Sequence, residues 1–257
     1  NKFFSPASLG KALIRKHLKN AYRFKKSPLQ QMALKSFNGG RIETILKGYF
    51  PKVFIYDINS AYPSVQSELY GLGEFNWSNR EYEPEARHSF FKISACIDDV
   101  IVSPIKYQLK NNMVVYPKGS FIECYVSKVE VETLIKHGFD FKILEAVHND
   151  GSNEKPFEYM KELYDLRQKY KAEKSPLQLP IKLGLNASYG VLIERMKKTE
   201  KAEFDKKDSL DPHNGFFVGD DGRAYLQKYH YKAGQFFHPV WASEITASSI
   251  LKSNPCF

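Results

Sequence analysis

Cysteine is scarce and poorly placed for cross-linking. Cys96, Cys124 and Cys256 are odd in number, far apart and form no CxxC pair, so neither a disulfide framework nor a zinc site is indicated, and a reducing compartment fits best. No apolar run approaches the roughly eighteen residues of a membrane span, which argues against a membrane partner. Internal repeats and low-complexity tracts are also missing. The sequence lacks an initiator methionine and a secretory apolar region, so it reads as a segment of a longer protein. What remains is a soluble, globular reading. With 42% hydrophobic and 26% charged residues over 257 positions, the chain can bury a sizeable core as one large domain or as two or three smaller ones.

Acidic residues are nearly absent from the first 52 positions. Twelve Lys or Arg stand there against Glu43 alone, leaving 26 bases and 28 acids for the rest of a chain whose net charge is +9. A basic block beside a near-neutral remainder suits a surface facing phosphates, because such a cluster repels itself unless a polyanion neutralises it. A solvated basic helix would have the same composition.

The coarse pattern is α+β. Ser5-Pro6 and the spacing of Leu9, Leu13, Ile14 and Leu18 predict a helix over 6–20, followed by a basic loop. Paired glycines at 39 and 40 mark a turn allowing positive φ and close backbone approach. A strand is expected over 53–56. Between 80 and 150 the runs 90–97, 113–116 and 121–126 suggest a small antiparallel β region, with a short helix over 129–137 stopped by Gly138. Helical patterns over 157–174 and 181–193, separated by Ser175-Pro176, predict an antiparallel hairpin of helices. A β-hairpin turning at residues 219–222 and a helix from Pro239 through 251 complete the chain.

In VFIYDINSAYPS, residues 53–64, an apolar run ends in Asp57. A carboxylate at a strand end leaves the core on a rigid support, which suits a Mg2+ site for phosphoryl transfer, since that hard cation is held by one or two carboxylates plus substrate phosphates. A cap or turn residue is the ordinary alternative. In KLGLNASYG, Lys182, Asn186 and Tyr189 fall at i, i+4 and i+7 on one helix face, and Arg167 and Lys171 are again four apart. Cation, amide and ring together can meet a nucleotide. LRQKYKAEK alone would read as a solvated face.

In this order, these residues resemble the family B DNA polymerases. DINSAYPS resembles the family's motif A, KLGLNASYG its motif B, and SFNGGRIE the glycine-pair motif that precedes motif A. The GGR form and the β-rich region holding VVYPKGSF look most like the protein-primed branch of phages, linear plasmids and organelles, and the resemblance runs from about residue 30 to the end. It implies an antiparallel-sheet palm with helical-hairpin fingers and a small β-rich insertion, working in a host cytoplasm or an organelle. By the same resemblance, residues 1–79 are a basic segment with the glycine-pair motif and motif A of the palm, 80–150 the insertion that grips a terminal protein, 151–194 the fingers, 195–232 a second β insertion, and 233–257 a palm helix.

The same resemblance implies the roles. Asp57, with the Ile58 carbonyl, would hold the catalytic Mg2+ pair. Tyr62 would lie under the deoxyribose and exclude a 2′-hydroxyl. Arg167, Lys171 and Lys182 would neutralise the triphosphate of a dNTP, and Asn186 and Tyr189 would line the nascent pair on a hairpin able to close. Phe37, Asn38, Gly39, Gly40, Arg41 and Gly190 would contact primer-template DNA. Two-metal catalysis needs a second carboxylate, which in the family comes from a motif C of the form YxDTDS, and residues 1–257 do not contain one. Asp220-Asp221 sits between glycines, before the last helix instead of after it, and reads as a hairpin tip. Phe37 replaces the usual tyrosine, and Gln178 stands where some relatives carry lysine. A fragment, a polymerase split over two polypeptides, and a catalytically silent nucleic-acid-binding module all remain open at this point.

Overall fold

The structure, a computed structural model, describes residues 5–18, 27–44, 46–55, 58, 60–98, 100, 102–109, 113–203 and 215–252. Asp57 lies outside the described residues, as do Tyr56 and Cys256. In chain order the elements are α1 (Pro6–His17), α2 (Pro28–Ser36), α3 (Ala61–Gln66), β1 (Asn76–Asn79), β2 (His88–Ile97), β3 (Tyr107–Gln108), β4 (Val114–Val115), β5 (Gly119–Ser127), α4 (Lys128–Lys136), β6 (Phe141–Asn149), α5 (Tyr159–Ala172), α6 (Gln178–Val191), β7 (Arg195–Glu203), β8 (Gly215–Val218), β9 (Ala224–Ala233) and α7 (Pro239–Lys252). Among the described residues, no helix is long and apolar enough to cross a membrane.

The main sheet is antiparallel throughout, in the order β1-β6-β2-β5. Successive side chains of a strand point to opposite faces, and β2 uses both. Phe90 joins a core with Ile14, Leu29, Phe157, Leu185 and Trp241. Its neighbour Phe91 joins a second core with Ile93, Ile105, Val126 and Leu134. Helix α2 packs on this sheet and on α7, and α4 packs against β2, β5 and α7. At the start of α4, Glu130 reaches back to accept the Ser127 N–H at 2.8 Å and also pairs with the buried Lys106 at 3.3 Å. A separate three-stranded sheet, β7-β9-β8, turns at residues 219–222 as expected, with Gly222 at φ 72°.

Three expectations need correction. The segment taken as a basic loop holds α2: Ser27 accepts the Gln30 N–H at 3.3 Å and Pro28 occupies the first turn, the same Ser-Pro start that opens α1. The first helix ends at His17, short of residue 20. Residues 53–55 form no strand. Their side chains are 69%, 64% and 92% exposed, and among the described residues no neighbouring strand receives their backbone hydrogen bonds, without which an extended segment is not a strand.

Candidate active site

Helix α6 holds its place through small residues. An added Cβ on Gly10 of α1 would lie 3.0 Å from the Ala187 carbonyl carbon, and one on Gly184 would lie 3.0 Å from Leu13 Cδ1. The two helices therefore cross backbone to backbone. On another side, the buried Ser188 hydroxyl bonds Gln66 Oε1 at 2.8 Å and ties α6 to α3. Residues on motif A and motif B are thereby fixed relative to each other.

Between these elements lies a cavity of about 320 Å3 lined by Ile58, Ser60, Ala61, Tyr62, Arg167, Lys182, Asn186 and Tyr189. It gathers Tyr62, Arg167, Lys182, Asn186, Tyr189 and Ile58 from the candidate set. Tyr62 and Tyr189 stack with centroids 4.1 Å apart and planes 18° from parallel. Burial and the neighbouring Tyr189 raise the pKa of the Tyr62 phenol. Arg167 is buried, and its Nη1 donates to Ser60 Oγ at 2.9 Å. Its Nε is buried with no acceptor, and it has no carboxylate partner among the described residues. A buried, unpaired guanidinium is costly unless an anion meets it. Ser60 itself takes a left-handed backbone, φ 53° and ψ 43°, a conformation costing about 1–3 kcal/mol in a residue with a Cβ and characteristic of functional sites. Nothing in the linear sequence signals that strain.

Lys171 is exposed on α5 and does not line the cavity. Gly190 is half-buried, with open space where a Cβ would stand. In the glycine-pair loop, Phe37 packs on the main core and Asn38 is buried. Neither Gly39 nor Gly40 has a positive φ. The pair serves close approach instead: a Cβ on Gly40 would stand 2.7 Å from the Tyr62 hydroxyl. Arg41 lies 3.7 Å over the Tyr116 ring, donates to the Ser103 carbonyl at 2.8 Å, and pairs with Glu43. Sequence reasoning missed these partners in the β region, because no spacing rule links residue 41 to 103 or 116. At the β8-β9 turn, Asp221 bonds Tyr225 and the Arg223 N–H.

Comparison with known proteins turns this geometry into a lineage. Residues 7–216 match the family described as DNA polymerase type B, organellar and viral. The chain belongs to that family. The branch suggested by the GGR form is thus borne out, as is the mixed architecture of helices and antiparallel sheet. The fold is that of Phi29 DNA polymerase. Its complex with primer-template DNA and incoming nucleotide matches at TM-score 0.61, with 14% identity over 96% of this chain and 44% of that one. The same polymerase in an orthorhombic crystal form gives 0.61 and 16% over 94% and 42%. Its binary complex with primer-template DNA gives 0.61 and 15% over 96% and 43%. The chain thus spans less than half the length of the solved structures it matches. Among curated proteins, no match was found.

Proposed function

We propose that this chain carries the palm and fingers of template-directed DNA synthesis, in which a dNTP is added to a primer terminus. The observation that carries the reading is the buried Arg167, without a carboxylate partner among the described residues, in one cavity with Lys182, Asn186 and the Tyr62–Tyr189 stack. Two cations in a partly dry cavity suit a triphosphate. The stacked rings suit a sugar and base, with Tyr62 leaving no space for a 2′-hydroxyl. Lys171, exposed one turn beyond Arg167, would meet phosphates only once the hairpin closes. Membership of the family and the likeness in fold to a polymerase solved with DNA and nucleotide support the same reading.

The family uses divalent metal, and the donors here fit it in part. Ile58 lines the cavity, and Asp57 precedes it in the sequence. When bound, Mg2+ would neutralise charge on the transferring phosphoryl group. A second carboxylate is needed from outside residues 1–257, supplied by a motif C elsewhere in the gene product or by a second polypeptide. Under this proposal the four-stranded sheet region would grip a terminal protein primer, and β7, β8 and β9 would be the second insertion. Phe37, Asn38, Gly39, Gly40, Arg41 and Gly190 would face primer-template DNA.

One observation favours a second reading, a catalytically silent module that binds nucleic acid. The described residues from 42 to 55 are all exposed and form no element. Primer extension with Mg2+ by the full gene product separates the two. We expect Asp57→Ala to lower extension by at least about a hundredfold, the scale set by losing one electrostatic group at a transition state. Equal extension by both proteins would remove Asp57 from catalysis.

A further inference from the structure

Glycine at position 40 does more than turn the chain. Among all described atoms, only the Tyr62 hydroxyl would lie within 4 Å of a Cβ there, and at 2.7 Å the two could not coexist without movement. One of them has to yield, and the anchoring decides which. The loop is fixed at both ends: Phe37 is packed on the core and Asn38 is buried. On the other side, the Arg41 guanidinium lies flat on Tyr116 and is bonded to the Ser103 carbonyl. Tyr62 stands on its short helix α3, packs on the same core and stacks on Tyr189. The atom that meets the Cβ, however, is the hydroxyl at the far end of its side chain, which can swing further than a backbone anchored on both sides. Tyr62 lines the cavity and Gly40 does not, so a methyl group on Gly40 would press on the ring from behind.

We infer that Gly40 is a positioning residue for the sugar site: its lack of a side chain, held in place by the Arg41–Tyr116 clamp, sets where the Tyr62 hydroxyl stands at the cavity edge. The inference rests on the proposed nucleotide site and deepens it. It also gives the β-rich region a part in nucleotide binding, since Ser103 and Tyr116 belong to that region and hold the loop from which Gly40 meets Tyr62. Arg41 commits two donors to Glu43, one to the Ser103 carbonyl and its flat face to Tyr116, so its first service is to this clamp. The clash is specific to one atom. Removing the Tyr62 oxygen while keeping the ring would make room for the methyl, which a general weakening of the loop would not allow.

The test is a double-mutant cycle in the full gene product: wild type, Gly40→Ala, Tyr62→Phe and the pair. In primer extension, Gly40→Ala is expected to raise the KM for dNTP about tenfold while kcat changes less, because misplacing a positioning group by an ångström costs up to about a hundredfold. Tyr62→Phe in that background should bring KM back to within about twofold of Tyr62→Phe alone, the usual limit of additivity. An unchanged KM in Gly40→Ala, or a loss that Tyr62→Phe does not rescue, overturns the inference. Thermal unfolding of the same four proteins reads the contact without any nucleotide, and strict additivity there overturns it as well. Tyr62→Val tests the underlying reading separately. If that change leaves ribonucleotide exclusion intact while the cycle shows coupling in stability alone, the contact stands and both the sugar-site reading and the inference fall.

Discussion

Along α6, Leu185 is 1% exposed and Val191 3%, whereas in the stretch leading to Asp57, Ile42 is 97% exposed and Ile55 92%. Helix α6 carries Lys182, Asn186 and Tyr189 of the cavity and the other stretch runs toward Ile58 at its wall, and both are rich in apolar side chains. The difference lies in how backbone hydrogen bonds are met. A helix satisfies its own N–H and C=O groups and needs only a surface to lie on, which α1 provides with Gly10 and Leu13 and α3 with Gln66, against Gly184 and Ser188 of α6. A strand needs a neighbour, and among the described residues the stretch 53–55 has none. The helical side of the cavity therefore meets its own backbone bonds, while the stretch that leads toward Asp57 finds no strand partner among the described residues.

Four changes would break or sharpen this contrast. Trp241 is 1% exposed, stacks on His238 at 3.6 Å and donates to the Tyr70 carbonyl at 2.9 Å. Trp241→Ala should cost about 3–5 kcal/mol in denaturant unfolding and loosen the helical side as well, because the same core seats Leu185. Ser188→Ala removes the bond to Gln66 and leaves that buried amide short of a partner, a loss of about 1–3 kcal/mol readable in the same melts.

Acidity should act on the core through two buried histidines of opposite sign. His238 is pushed down to about 3 by burial and by His88 nearby, so stability falls as pH drops below the ordinary histidine value of about 6.5 and the unfolded chain takes up a proton that the fold refuses. Burial works against a charged His88 too, and so does Arg87. The carboxylate of Glu244 at 2.9 Å outweighs both, with help from the Gly71 carbonyl, and the net shift is upward. Its contribution is complete below the unfolded value and is lost as pH rises through the folded one. A stability maximum near pH ~6.5 follows, with limbs no steeper than about 1.4 kcal/mol per pH unit for each histidine. Glu244→Gln should remove the alkaline limb and spare the acid one in melts run across pH. The smallest effect belongs to the exposed stretch. Ile55→Thr should stay within about 0.5 kcal/mol in this chain, and a clearly larger cost once a strand-supplying partner is added would show what the stretch pairs with.

How much of this was written in the sequence depends on where each signal originates. Helices α5 and α6 announce themselves by their helical patterning, α7 by its opening Pro239, and β2 and β5 by short apolar runs, so they were legible within a few residues. Strand β7, RMKKTEKAE, has almost no apolar residue; its state comes from full-length pairing with β9, a tertiary cause that propensity cannot see. The strand expected from residue 53 failed over its described part, 53–55, in the opposite way, since an apolar run states a preference but not the presence of a partner. In the site, the motifs named most of the residues that line the cavity. The buried state of Arg167, the left-handed Ser60 and the meeting of Gly40 with Tyr62 were not legible, because each depends on distances set by other parts of the chain.

The glycine crossing of α1 and α6 has a mechanical corollary. A rotation of α6 that keeps this interlock intact must take α1 along as a passenger, together with Arg15, Lys16 and His17 in its last turn. Any swing of the hairpin is thus also a displacement of positive charge, and its ease would be tuned by the ionic strength around it as much as by what fills the cavity.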